Sequence, residues 1–206
     1  MLTIVRRLCR LILRPPLRLA WRFMVSNSGD PWERRDLGRP TFFLDRYGWF
    51  PTADYFRAYL RRPSSVPVDS LDAICAWLRE CRYDELAYSK TNAWPLPNDF
   101  ETSRKGTCFD HALWGWRKLI EMGVSSALVW GQFRDDESSK GWSSGHLWVQ
   151  FHYEGIEYLF EPVRKDETQM VGQFAELRNY YRPWYAVDSD FHRYEYHGYA
   201  HSLLYD

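Results

Sequence analysis

The stretch Gly106-Thr107-Cys108-Phe109-Asp110-His111-Ala112 opens an apolar-periodic segment that runs to Gly123. Ala112, Leu113, Trp116, Leu119 and Ile120 recur at helical spacing, which predicts a helix over 108–122, buried along most of one face. Gly123 stands at the C′ position expected of such a helix. Cys108 then falls in the first turn, where unpaired N–H groups and the helix dipole favour negative charge and bias a thiol toward thiolate. Alone, a cysteine so placed is more often a small buried hydrophobe than a nucleophile. Its chemistry depends on its partners.

Downstream, residues 127–133 read as a strand and 134–145 as a polar, Gly/Ser-rich loop. Two strands follow, His146 to about Tyr153 and Ile156 to Phe160, joined by a tight turn at Glu154-Gly155. Residues 167–179 read as a further helix, and the aromatic tail from Trp184 to Tyr205 as one or two returning strands. Upstream, Asp69 or Ser70 can cap a helix whose apolar face is Leu71, Ile74, Trp77, Leu78 and Cys81. A short helix is expected at 54–62, ending before Pro63, and a loop from 83 to 99. The whole of 26–67 reads as an irregular extension wrapped on the core. Helix first and antiparallel strands after is an α+β order. The expected organisation is one domain over 26–206, with its core at about 69–200.

Composition narrows the function classes. The formal net charge is zero, which leaves no electrostatic footprint for nucleic acid. Aromatic residues make up 18% of the chain, enough for a tightly packed core, a stacked groove, or both. Cys9, Cys75, Cys81 and Cys108 form no CxxC pair, no disulfide framework and no zinc-ribbon spacing. Cys75 and Cys81 lie in one helical stretch and read as buried free thiols.

Residues 1–25 stand apart. Arg6, Arg10, Arg14, Arg18 and Arg22 recur every four residues among apolar ones, and no acidic residue precedes Asp30. Arginine interrupts each apolar run, which excludes a transmembrane span and a convincing signal peptide. As amphipathic helices broken at Pro15-Pro16, the segment fits an anionic membrane surface or an acidic partner. A docked helix with solvated arginines fits equally well, and an organellar transit peptide less well. The expected location is cytoplasmic, with or without peripheral membrane contact.

A nucleophilic thiol needs a base, and the base needs an orienting acceptor. His146 opens the second strand and Glu161 follows the third. With the turn at Glu154-Gly155, Tyr153 faces Ile156 and Glu161 is diagonal to His146; with the turn at Tyr153-Glu154, the two are directly opposed. Either register puts both on one face of the sheet, roughly 5 to 8 Å apart at Cβ.

Three motifs in this order, Gly-Thr-Cys108-Phe-Asp-His-Ala, His146-Leu-Trp-Val and Tyr-Leu-Phe-Glu161-Pro, resemble the transglutaminase-like cysteine protease superfamily, a circular variant of the papain architecture. The lead-in Trp94-Pro-Leu-Pro-Asn-Asp-Phe-Glu101-Thr is similar to the bacterial branch, and the likeness spans roughly residues 92–163. Glu161 stands where the family usually has Asp, and Thr107 where it often has an acidic residue. The resemblance implies a papain-like core and acyl transfer through a thioester on a protein or peptide substrate, without a cofactor. Cys108 would be the nucleophile, His146 the proton donor and Glu161 the residue that orients it. The Cys108 N–H would be one oxyanion donor, with Trp94 Nε1 and Gln132 as candidates for the second. Trp130 and Trp142 are candidates for the substrate cleft.

Three other readings compete. A fold that keeps the cleft but binds a peptide or partner without turnover would fit the Thr107 and Glu161 departures. A metal site at Cys108 and His111, or at His192, His197 and His201, matches no structural zinc spacing, so no metal is expected. A membrane-surface structural protein accounts for residues 1–25 and nothing later.

Overall fold

The computed structural model describes residues 30–39, 44–45, 48–49, 52–84, 96–134, 141–143, 145–164 and 170–198. Cys9, the arginines of 1–25, Trp94 and His201 lie outside the described residues. Among the described residues no helix is long and apolar enough to cross a membrane.

In chain order come β1 (Arg34–Gly38), the paired short strands β2 (Leu44–Asp45) and β3 (Gly48–Trp49), α1 (Ala53–Arg61) and α2 (Leu71–Arg79). Then follow β4 (Arg82–Tyr83), α3 (Pro97–Ser103), β5 (Lys105–Gly106) and the central helix α4 (Cys108–Glu121). The second half holds β6 (Ser126–Phe133), β7 (His146–Tyr153), β8 (Ile156–Phe160), β9 (Val171–Gln173), α5 (Phe174–Leu177), β10 (Tyr181–Asp188) and β11 (Arg193–Tyr196). One seven-stranded sheet runs β1-β11-β10-β6-β7-β8-β9, antiparallel at every pair. The fold is mixed α and β on a large antiparallel sheet.

The pleat sorts the core into two layers. Leu128, Leu147, Val149 and Phe160 face α4, where they meet Leu113, Trp116 and Leu119, with Phe56 of α1 and Ile74 and Leu78 of α2 in the same cluster. Their strand neighbours Val129, Trp148 and Leu159 face the other way, onto Trp32, Tyr181 and Tyr196. Successive strand residues point to opposite faces, so one sheet feeds two cores. Each fully buried large apolar side chain contributes about 1.5–3 kcal/mol. This layering accounts for much of the aromatic load: Trp148 lies 4.9 Å from Tyr181 and 6.3 Å from Trp32, ring centre to ring centre.

α4 is more deeply set than its apolar stripe predicts. Every residue from Phe109 to Leu119 is buried, including Arg117 and Lys118. The face away from the sheet is covered by α1, α2 and the segment 62–66, which meets its charges. Lys118 Nζ donates to Val66 O at 2.7 Å and Glu121 Oε2 at 2.8 Å, and Arg117 Nη2 donates to Arg62 O at 2.8 Å. Glu101 accepts from Ser65 N–H at 2.7 Å and Trp114 Nε1 at 2.9 Å. Burial would raise the Glu101 pKa; the hydrogen bonds from Ser64, Ser65 and Trp114 outweigh it, and the group is held below its ordinary value.

Four sequence expectations are corrected. The 26–67 stretch is not wholly irregular, because Arg34 to Gly38 form an edge strand on β11. Its charged residues hide the apolar alternation that marks a strand, and charged edges resist further pairing. It also joins the sheet from upstream of 69, as Phe56 and Tyr59 join the core. The loop expected at 83–99 gives way to α3 at Pro97, where a proline at the first helical position loses no hydrogen bond. The helix expected at 167–179 is β9 followed by the single turn α5 and a 3₁₀ turn at Arg178–Tyr180. Cys81 is buried but lies past the end of α2.

Candidate active site

α4 begins with a reciprocal cap. The Thr107 N–H donates to Asp110 Oδ2 at 2.7 Å and the Thr107 hydroxyl to the same oxygen at 2.9 Å. Asp110 is buried, and burial pushes its carboxyl up against the lowering effect of the Thr107 bonds. Its side chain crowds Gly106, where a Cβ would lie 2.5 Å from Asp110 Cβ. His111 Nδ1 lies 2.8 Å from Thr107 O, so that nitrogen carries the proton and donates. The ring is buried beside Phe100 at 4.9 Å. Asp110 and His111 therefore hold the helix start and leave Cys108 at its first position, half-buried and free of disulfides.

His146 is the first residue of β7 and is 7% exposed. Its Nε2 lies 2.7 Å from Glu161 Oε2, and the Cys108 side chain is near enough to the ring to act on its charge. With Nε2 on the carboxylate, Nδ1 is the nitrogen left for sulfur. The imidazole packs against Phe133 at 4.6 Å, tilted by 49°, and stacks over Trp148 at 6.3 Å, which puts it on the sheet face opposite α4. Thiol and imidazole therefore meet around the open end of β7. The first position of the strand is where this can happen.

Glu161 is 1% exposed and held on three sides. Oε2 also accepts from the Tyr181 hydroxyl at 3.3 Å, Oε1 accepts from Val163 N–H at 3.2 Å, and the Glu161 N–H donates to Met170 O at 2.7 Å. Burial alone would lower the imidazole pKa. The Glu161 charge and hydrogen bond, with the nearby Cys108 side chain, outweigh it and raise the value to about 10. At neutral pH the ring is an imidazolium between a carboxylate and a sulfur.

Across β6, Gly131 pairs with His146. A Cβ there would lie 2.2 Å from Arg182 O and 2.6 Å from Trp148 Cη2, so glycine permits the close approach of β10 beside the imidazole. Gln132 is buried, pairs with Arg182, and by the pleat shares the α4 face with Trp130. Its Oε1 has no hydrogen-bond partner among the described residues. Trp130 packs against the same apolar cluster as Cys108. Trp142 lies against the guanidinium groups of Arg134 and Arg182. Trp94 lies outside the described residues.

The structure thus brings together Cys108, His146 and Glu161 and adds Tyr181, which the sequence does not flag. Tyr181 reaches Glu161 only because β10 crosses to pair with β6, and no local spacing signals that. Among the described residues no group of three His, Cys, Asp or Glu side chains is placed to hold a metal ion. No protein-family model matches the chain, and no curated protein matches it in sequence.

Proposed function

We propose that the chain is a transglutaminase-like, papain-type cysteine enzyme that transfers the acyl group of an amide or peptide bond through a thioester. The observation that carries this reading is the line Cys108, His146, Glu161, in which one imidazole is hydrogen-bonded to a buried carboxylate and has the Cys108 side chain near enough to act on its charge. Cys108 thiolate attacks the amide carbonyl carbon. The imidazolium of His146 gives its proton to the leaving nitrogen as the C–N bond breaks, leaving a thioester and a neutral ring. Glu161 fixes the ring and offsets its charge. The neutral ring then takes a proton from water as the oxygen attacks the thioester, and the thiolate leaves. An amine in place of water yields a new amide.

The tetrahedral oxyanion needs donors. The Cys108 N–H sits at the first position of α4, where backbone N–H groups lack intrahelical partners. The Gln132 side chain, on the same face, is the second candidate.

The test is the rate of Cys108 alkylation by iodoacetamide against pH, in the wild type and in His146→Ala. The wild-type thiol is expected to react well below the ordinary thiol pKa of ~8.5, and the variant to lose that reactivity. A Cys108 that behaves like a free thiol in both proteins overturns the reading.

A further inference from the structure

The ladder between β6 and β7 stops at the pair Gly131 and His146, yet β6 runs on to Phe133. Beyond that pair the two chains are joined through Ser143. The Phe133 N–H donates to Ser143 Oγ at 2.9 Å, and the Ser143 N–H donates to Phe133 O at 2.9 Å. One serine thus takes both backbone polar groups of Phe133. On its other side Phe133 pairs with Tyr181, and the next N–H, of Arg134, donates to Tyr180 O at 2.9 Å. The end of β6 is held from both sides.

What this clasp fixes is a ring beside the imidazole. Phe133 stands two residues beyond Gly131 and so shares its face of the sheet. Its half-buried ring lies 4.6 Å from His146, centre to centre, tilted by 49°. The face of an aromatic ring attracts a cation within ~6 Å of its centre, and the attraction grows where water is excluded. His146 is buried, and Phe133 falls inside that reach. The other groups that bear on the imidazole are Glu161 on Nε2, Cys108 from α4, and the Tyr181 hydroxyl acting through Glu161. The Arg164 guanidinium lies over the Phe133 ring at 5.7 Å. It keeps its charge at every pH at which the imidazole titrates.

We propose that Phe133 and Ser143 are positioning residues for His146: the Ser143 clasp sets the end of β6 so that the Phe133 ring covers the imidazole and favours its cationic form. The purpose of that cation, to protonate the leaving nitrogen, rests on the acyl-transfer reading.

NMR titration of histidine-labelled full-length protein tests it, with the His146 signal identified by its loss in His146→Gln. The wild-type imidazole should titrate at about 10. Phe133→Leu keeps an apolar cover and removes the ring, and should lower that midpoint by about 0.5–1.5 pH units. Phe133→Tyr, which keeps the ring, should restore it. Ser143→Ala should lower the midpoint by less, and Ser143→Thr, which keeps the hydroxyl, should return it. A Phe133→Leu protein whose His146 titrates as in the wild type overturns the inference. So does a drop that vanishes when Arg164→Gln is added, because a displaced guanidinium would then be its cause. If Phe133→Leu does not fold, the Ser143 pair decides: a midpoint unchanged in Ser143→Ala overturns the inference, and one lowered there and restored in Ser143→Thr supports it. The titration reads the imidazole whether or not Cys108 is a nucleophile, so failure of the acyl-transfer reading in the alkylation test is a separate result.

Discussion

His146 Nε2 and Glu161 Oε2 approach to 2.7 Å although the residues are diagonal, not opposed, across their hairpin. The turn sets this. Glu154 and Gly155 both have positive φ, at 50° and 78°, and pair Tyr153 with Ile156 and Val149 with Phe160. Positive φ at both central residues gives the tight turn that matches strand twist. Extending the register puts Trp148 opposite Glu161, so the carboxylate must reach back along the sheet to the ring.

That diagonal requires length. Glu161→Asp keeps the charge but withdraws the carboxylate by about 1.5 Å, and the bonds to Val163 and Tyr181 hold it at its present reach. Acyl transfer, followed as release of an amine from a peptide library, is expected to fall nearly as far in Glu161→Asp as in Glu161→Gln, by ~10²- to 10⁴-fold. An Asp variant with wild-type turnover would show that the diagonal does not matter.

The imidazole also links stability to pH. Its pKa is raised from 6.5 unfolded to about 10 folded, with the Glu161 charge the first of the raising causes. A raised histidine stabilises fully below the unfolded value, and that contribution is lost as pH climbs through the folded one. Urea unfolding of the wild type should therefore show this contribution declining between pH 6.5 and about 10. Glu161→Gln should show a shallower decline, so that the two curves converge at high pH. Parallel curves would remove the ion pair from the account.

Tyr181→Phe removes one hydrogen bond to Glu161 Oε2 while keeping the ring in its aromatic layer. Chemical denaturation should register a loss of about 0.5–1.5 kcal/mol. Because the bond holds the carboxylate against the ring, the pH midpoint of Cys108 alkylation should shift as well. A change in stability with no change in that midpoint would make Tyr181 structural only.

Gly131→Ala tests the close approach of β10. Its Cβ would meet the Arg182 carbonyl, which is backbone and cannot swing aside. Overpacking of this kind costs about 1–3 kcal/mol. The strain falls opposite His146, so the alkylation rate at neutral pH is expected to drop together with thermal stability.

Much of the fold was legible in the sequence. The helix from Cys108 to Gly123 and the hairpin that carries His146 and Glu161 are spelled locally, by apolar spacing, a C′ glycine and a two-residue turn. Those features act over a few residues, so the sequence alone determined where each of these groups sits on its element and that His146 and Glu161 share a face. Only the tertiary structure decided the rest. The edge strand from Arg34 carries no apolar alternation, α3 is too short to show a period, and Tyr181 meets Glu161 through a strand crossing. The thiol's path to the imidazole was equally hidden. Cys108 belongs to a helix on one face of the sheet and His146 points to the other, and they touch only because each stands at the very end of its element. Periodicity assigns faces; it does not say which ends meet. That is set by long-range packing of α4 on β6 and β7, where burial of large side chains outweighs any local preference.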